Sequence, residues 1–176
     1  AGAALAGAAA LAAATYWLEA RRRQALCRCE GRSSGVGSLH IWFVRHGETE
    51  NNVLLRTMGS DGAGPEYERA RSADPPLSPL GREQVRRVAR HPALASFFGH
   101  AKPAVELYSS PLLRAIETAG PLQRALPGSP PIHVRPELSE MGGLRRVLED
   151  GSLEVLPGST PEELRERFSD LDLELS

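Results

Sequence analysis

Short apolar runs alternate with longer amphipathic stretches from residue 38 onward. Leu39–Val44 is the first apolar run, and its continuity is typical of a strand buried on both faces. Ala104–Tyr108 and Pro131–Val134 are the next two runs. We therefore predict three strands, separated by segments with helical spacing of their apolar positions.

Residues with strong helix-starting preferences open each of the amphipathic stretches. Ser78 stands directly before Pro79, a pair that predicts an N-cap and the first helical residue. Ser110 and Pro111 precede the next stretch, which Pro121 can kink. A last helix is predicted from the sequence TPEELRERF, where Thr160 and Glu163 have the spacing of a capping box.

Alternation of strands with helices predicts an α/β fold with a mostly parallel sheet. The 176 residues suffice for one domain with a hydrophobic core. Between the first strand and the Ser78 helix, the segment Gly59–Pro76 is rich in Gly, Pro and charged residues, so we interpret it as a long surface loop. Loops of this length are often functional.

An Ala-rich and Arg-rich leader, residues 1–37, precedes the domain assigned to residues 38–176. No charge occurs in its first 18 residues, close to the roughly 20 that span a bilayer. Arg21–Arg23 would favour the cytoplasmic side for the domain after the leader. Three interpretations stay open: a membrane tether through residues 1–18 with a cytosolic domain, an organelle-targeting leader, or a tail on a cytoplasmic protein.

Overall charge and cysteine content narrow the classes of function. A net charge of −1 gives no bulk attraction to nucleic acid. Only two cysteines are present, Cys27 and Cys29, and their spacing matches no zinc motif. We therefore expect neither a nucleic-acid partner nor a structural metal.

Charged and potentially reactive side chains follow the first predicted strand directly, in the sequence FVRHGETENN. Arg45 and His46 lie at the carboxyl end of that strand, where parallel sheets collect their ligands. Arg114 lies in the first turn after a second strand. Two guanidinium groups around an imidazole form an anion pocket and favour the neutral, nucleophilic form of the histidine, which suits attack on a phosphoryl group. Gly47 would keep a Cβ away from the phosphate.

Five segments in order resemble the histidine phosphatase superfamily, which has the phosphoglycerate-mutase-like fold. RHGETENN is similar to its signature, and the resemblance extends over about residues 39–168. The other segments are DPPLSPLGREQ (Asp74–Gln84), YSSPLLRAIETA (Tyr108–Ala119), ELSE (Glu137–Glu140) and LPGSTPEELRER, which lacks the family's acidic residue. The resemblance implies a three-layer sandwich whose mostly parallel sheet is flanked by helices.

Roles for individual residues derive from this resemblance. It implies that His46 is the phosphoryl acceptor and that Glu140 is the acid that protonates the leaving oxygen. It further implies no metal or other cofactor, because arginines supply the positive charge. The implied substrate-binding residues are Arg45, Asn52, Arg56 and Arg114, with Thr49 as a further polar group.

Relatives also carry a second histidine, usually followed by Gly or Ser, on a late strand. Neither His100 nor His133 has that context, so we expect a fold whose last part is missing and whose site is incomplete. The leading function is a phosphomonoester phosphatase acting through a phosphohistidine, with weak activity. The alternatives are a phosphoglycerate-mutase-type phosphotransferase and a non-catalytic module that binds phosphate or a phosphoprotein. The partner in each case is a phosphorylated small molecule or protein.

Overall fold

The computed structural model describes residues 41–58, 64–92, 94, 105–140 and 144–175. Residues from Phe43 onward belong to one unit, while Ile41 and Trp42 fall in the unit before it. The described helices are, in chain order, α1 (Glu50–Thr57), α2 (Pro65–Ala70), α3 (Pro79–Ala89), α4 (Leu113–Ala125) and α5 (Pro161–Arg167). The strands are β1 (Leu107–Ser109), β2 (Ile132–Val134), β3 (Leu144–Val147), β4 (Leu153–Leu156) and β5 (Leu173–Leu175), with a 3-10 turn at Pro136–Leu138.

Three strands form a parallel sheet in the order β1-β2-β5. The core lies on one face of this sheet, where Ile132 and Val134 of β2 pack against α4 and against Leu164 and Phe168. Ile116 of α4 and Ile132 are fully buried, and burial of such a side chain stabilises the fold by about 1.5–3 kcal/mol. The predicted α/β fold with a parallel sheet and flanking helices is thus confirmed.

Cross-strand register leaves polar and aromatic side chains on the opposite face. Tyr108, His133 and Glu174 are neighbours across β1, β2 and β5. The His133 and Tyr108 rings lie 5.0 Å apart, and His133 Nδ1 is 2.8 Å from a Glu174 carboxylate oxygen. His133 therefore belongs to the sheet surface.

Two of the predicted helix starts have the expected geometry. Ser78 caps α3 by accepting a hydrogen bond from Gly81 N at 3.0 Å, with Pro79 in the first turn. Thr160 and Glu163 form the predicted capping box of α5. The third predicted start, at Ser110 and Pro111, is wrong: Leu112 is the N-cap of α4, and its side chain makes no capping hydrogen bond. The helix continues through Pro121.

The first predicted strand, Leu39–Val44, is not found in its described part. Residues 41–44 form no strand, and Phe43 is 94% exposed. A continuous apolar run predicts burial, but a strand also needs a hydrogen-bonded neighbour, and none of the described strands pairs with this segment. Leu39 lies outside the described residues.

Other elements also differ from the sequence prediction. Part of the predicted loop Gly59–Pro76 is helical, since Pro65 begins α2; residues 59–63 lie outside the described residues. β3 and β4 pair as an antiparallel hairpin that the sequence analysis did not predict. The hairpin turn contains Gly151 with φ +82°, a conformation that favours glycine.

In the described part of the chain, no helix combines the length and apolarity needed to cross a bilayer. The leader, residues 1–37, lies outside the described residues, so the tether and targeting interpretations stay predictions.

Candidate active site

The segment that carries Arg45 and His46 is fixed by the backbone of residues 76–78. Glu50 N donates to Pro76 O at 3.1 Å, and Ser78 N donates to Glu48 O at 2.9 Å. Thr49 and Leu77 form an isolated antiparallel bridge between the two segments. This contact places the predicted nucleophile beside the start of α3.

Gly47 and Gly81 allow these two segments to approach very closely. A Cβ on Gly47 would lie 2.6 Å from Gly81 O, and a Cβ on Gly81 would lie 2.0 Å from Glu48 O. Both contacts are with backbone, which cannot move aside like the end of a flexible side chain. The space expected for a phosphate beside Gly47 is therefore filled by the first turn of α3.

His46 is oriented by a hydrogen bond to its own neighbour. Its Nδ1 lies 2.7 Å from Gly47 O. A carbonyl oxygen can only accept, so the neutral imidazole carries its proton on Nδ1 and its lone pair on Nε2. The hydrogen bond thus leaves Nε2 as the ring nitrogen with a free lone pair.

Arg114, in the first turn of α4, is the buried cation of the site. Its side chain is 10% exposed. One guanidinium nitrogen lies 3.6 Å from Asp74 Oδ1, and another lies 3.0 Å from Glu140 Oε2. The carboxyl group of Glu140 is 70% exposed, so the pair joins a buried arginine to a solvent-facing acid.

Asp74 supplies the cap that Leu112 does not give to α4. Its two carboxylate oxygens accept from Leu113 N at 3.1 and 3.2 Å. Burial raises the pKa of the Asp74 carboxyl, while the Leu113 amide and the Arg114 charge act in the opposite direction. Asp74 therefore fixes both the start of α4 and the position of Arg114.

A cavity of about 360 Å³ brings these groups together. It contains five of the six residues predicted for the site, together with Thr49. Those five are Arg45, His46, Asn52, Arg114 and Glu140. Three arginines line it (Arg45, Arg71 and Arg114) against two carboxyl groups (Asp74 and Glu140), which favours an anionic ligand.

Arg56 is the predicted site residue that does not line this cavity. It lies in α1 with its side chain 60% exposed, and its Nη1 is 2.5 Å from Glu48 Oε2. The hydrogen bond from Arg56 lowers the pKa of the Glu48 carboxyl group. Burial acts in the opposite direction, and a hydrogen bond from Ser78 lowers this pKa further. The same ion pair raises the pKa of Arg56. Its charge is thus directed to Glu48.

Asn52 and Thr49 also have a structural role, because they cap the start of α1. Asn52 N donates to Thr49 Oγ1 at 3.3 Å and Thr49 N donates to Asn52 Oδ1 at 2.9 Å, which forms the capping box of α1. Asn52 Oδ1 also accepts from Thr49 Oγ1 at 2.9 Å. The bonds from Thr49 use the oxygen of the side-chain amide. None of the hydrogen bonds among the described residues uses its Nδ2 group, which is a donor.

Several lining residues were missed by the sequence analysis. Asp74 was recognised only as the start of a motif, and Arg71 and Tyr67 lay in the supposed loop. Asn51 was not considered, yet its side chain makes two hydrogen bonds to the backbone of Ser72, at 2.8 and 3.0 Å. No local signal in the sequence identifies such long-range contacts.

Neither a second histidine nor a metal site accompanies His46 among the described residues. His91 and His133 do not line the cavity, and His40 and His100 lie outside the described residues. Within the part of the chain that the structure describes, no group of three or more His, Cys, Asp or Glu side chains could hold a metal ion.

An α/β protein with a histidine and arginines gathered in one cavity fits the class that handles phosphoryl groups through histidine. The chain belongs to the histidine phosphatase superfamily (branch 1), whose sequence model matches residues 41–171. This range covers well over half of the chain and includes every residue predicted for the site. The predicted family membership is confirmed.

Solved structures that are similar to this chain include the following two. One is the ecdysone phosphate phosphatase, EPPase, from Bombix mori, in complex with tungstate. The sequences are 22% identical, the match covers 73% of this chain and 52% of that chain, and the TM-score is 0.46. The other is Mycobacterial hydrolase 1, which is 24% identical. The match covers 70% of this chain and 44% of that chain, with a TM-score of 0.34. The chain thus spans about half the length of these structures. No curated protein matches it.

Proposed function

We propose that this protein is a phosphomonoester phosphatase that acts through a phosphohistidine on His46. One observation carries the proposal: His46, with Nε2 as its free nitrogen, shares a cavity with Arg45, Arg114 and Glu140. Membership of the superfamily supports a phosphorylated substrate, either a small molecule or a protein.

In the proposed first step, His46 Nε2 attacks the phosphorus atom of the ester. The bond from phosphorus to the leaving oxygen breaks, and Glu140 donates a proton to that oxygen. Arg45 and Arg114 hold the phosphoryl oxygens through charge-assisted hydrogen bonds, assisted by the amide of Asn52. Water, deprotonated by Glu140, then hydrolyses the phosphohistidine to release phosphate.

Arg114 must change partners during this cycle. Its guanidinium contacts Glu140 at 3.0 Å. An incoming phosphoryl group competes for the same nitrogen and frees the exposed carboxyl group to move toward the leaving oxygen. The ion pair therefore holds the acid near the site before the substrate arrives.

That ion pair also supports a second candidate, a module that binds phosphate without turnover. The pair holds Glu140 on Arg114 and away from a role in proton transfer, and His46 is the only histidine among the described lining residues. A phosphoglycerate-mutase-type phosphotransferase shares the same first step, and no described residue favours it over the phosphatase.

Vanadate affinity and hydrolysis of p-nitrophenyl phosphate separate the two candidates. We expect the chain to bind vanadate and to hydrolyse the ester slowly, because no second histidine lines the cavity among the described residues. Loss of one preorganised donor lowers the rate by about 10²–10³. His46→Asn should abolish hydrolysis and leave most of the vanadate binding. Binding with no His46-dependent hydrolysis would favour the non-catalytic module, and no binding at all would contradict both.

A further inference from the structure

A second cavity, of about 430 Å³, adjoins the candidate active site. The two cavities share wall residues from the 71–74 segment, from β3 and β4 and from the segment after β4. Among these shared residues are Arg71, Asp74, Leu144, Leu156 and Ser159. A ligand whose phosphoryl group lies beside His46 could therefore extend past Arg71 into the second cavity.

Arg71 stands at the junction of the two cavities with part of its guanidinium unused. One nitrogen, Nη1, donates to Glu68 Oε2 at 3.0 Å, and the side chain is 20% exposed. Its Nε is buried and has no hydrogen-bond partner in the described part of the chain. An unsatisfied buried donor is unfavourable, and a small shift toward a ligand oxygen would satisfy it.

Arg146 brings another guanidinium to the second cavity, and it does not line the candidate active site. It lies on β3, and its Nε contacts Glu154 Oε2 across the hairpin at 2.5 Å. That contact uses one edge of the group and leaves terminal nitrogens for another oxyanion. The side chain is 56% exposed, so it can reorient toward a ligand.

Carboxyl groups near the second cavity are already engaged. Asp74, in the shared wall, accepts from Leu113 N and lies beside Arg114. Glu68 and Glu154 contact the two arginines but do not line either cavity. Leu144 and Leu156 provide apolar wall for the body of the ligand. The free hydrogen-bonding capacity of the second cavity is thus mainly that of guanidinium donors.

We propose that the second cavity recognises an oxyanion on the leaving group of the substrate, held by Arg71 and Arg146. The preferred substrates are then phosphomonoesters whose alcohol carries a carboxylate or a second phosphate. This inference rests on the proposed function, because it takes the phosphoryl end to lie beside His46. Arg71 and Arg146 determine specificity, and neither takes part in phosphoryl transfer.

Three matched ligands test the proposal by calorimetric titration of the full chain, with inorganic phosphate as the reference. They are 4-carboxyphenyl phosphate, its neutral analogue 4-carbamoylphenyl phosphate, and 1,4-phenylene bisphosphate. We expect one or both of the doubly anionic ligands to bind about tenfold more tightly than the carbamoyl analogue, since a hydrogen bond to a charged group is worth about that factor. Equal affinity for all three would overturn the inference.

Variants assign the preference to particular residues. Arg71→Gln should abolish most of it, Arg146→Gln should reduce it, and Arg71→Lys should keep part of it. The controls are Arg69→Gln on α2 and Arg145→Gln on β3, both exposed and outside the cavities, which should leave it unchanged. A preference that survives in both Arg71→Gln and Arg146→Gln would overturn the assignment.

Inorganic phosphate separates failure of this inference from failure of the proposed function. Phosphate binding without any ligand preference overturns the inference alone. Absence of phosphate binding to a folded protein, checked by thermal unfolding, overturns the proposed function and this inference with it.

Discussion

Arg114 is the side chain that joins the two carboxyl groups of the candidate site. It is buried, it lies beside Asp74 and Glu140, and its backbone oxygen accepts from Thr118 Oγ1 at 2.7 Å. Thr118 Oγ1 in turn accepts from Gly47 N at 3.3 Å. Through this chain of contacts, the position of the guanidinium is coupled to the segment that carries His46.

Arg114→Gln should lower vanadate affinity by about 10- to 100-fold, because a charge-assisted contact is lost. Arg56→Gln is the matched control, and it should change the affinity by less than about threefold, since an exposed ion pair contributes little. Equilibrium titration of both variants gives the comparison. Equal losses would mean that Arg56 reaches the ligand and that its pairing with Glu48 is not its main role.

The sequence predicted most of the residues that line the cavity around His46, but it did not predict their hydrogen-bond and ion-pair partners. The order of motifs predicted His46, Arg45 and Arg114 as site residues, and all three line the same cavity. Arg56 was included because its spacing fits a motif, and spacing says nothing about the competing Glu48 carboxylate eight residues away. Asp74 acts through Leu113 and Arg114, which are remote in sequence, so only the folded chain reveals its task.

At the scale of elements, the sequence identified those helix starts whose capping contacts are local. Ser78 and Thr160 cap their helices through contacts within three residues, so the sequence contains the whole interaction. The predicted strand Leu39–Val44 would need a neighbouring strand, and such pairing is a long-range property that the local sequence does not contain. The β3–β4 hairpin did have a local signal, the Asp150–Gly151 pair between alternating segments, which was overlooked.

Gly81→Ala should destabilise the fold by about 1–3 kcal/mol through overpacking against Glu48 O. Alanine inside a helix normally stabilises it by about 1 kcal/mol relative to glycine, so the sign is reversed here. Urea denaturation measures the change. Vanadate affinity should fall as well, because the segment around His46 must shift.

Gly120→Ala in α4 is the control for this prediction. Its Cβ would meet the end of the Leu171 side chain at 3.0 Å, which can move. We expect a change within about 1 kcal/mol in either direction. A stabilising effect of Gly81→Ala similar to that of an ordinary helical glycine would show that the close approach of α3 is wrong.

At the scale of the whole molecule, the alternation of elements predicted the α/β class, because layer architecture depends on the sum of many local patterns. The exposed run Ile41–Val44 shows the limit of that approach, since packing of an edge depends on what lies beside it. The leader, residues 1–37, is a prediction that rests on the sequence alone.

Deletion of residues 1–36 tests the membrane-tether interpretation. If the uncharged run anchors the protein, the full chain should be recovered in the membrane pellet and the deletion variant in the soluble fraction, with unchanged phosphate binding. A full-length variant with Leu5→Asp and Leu11→Asp keeps the length and should also be soluble. Recovery of the intact full chain in the soluble fraction would rule the tether out.

Phosphorylation of His46 is the most direct test of the proposed chemistry. The protein is mixed with a radiolabelled phosphate ester, quenched rapidly in base, and divided between acid and alkaline treatment. A phosphohistidine on His46 predicts a label on the protein that acid removes and alkali preserves, and that is absent in His46→Asn. A label of the same amount in His46→Asn, or one that survives acid, would contradict the account.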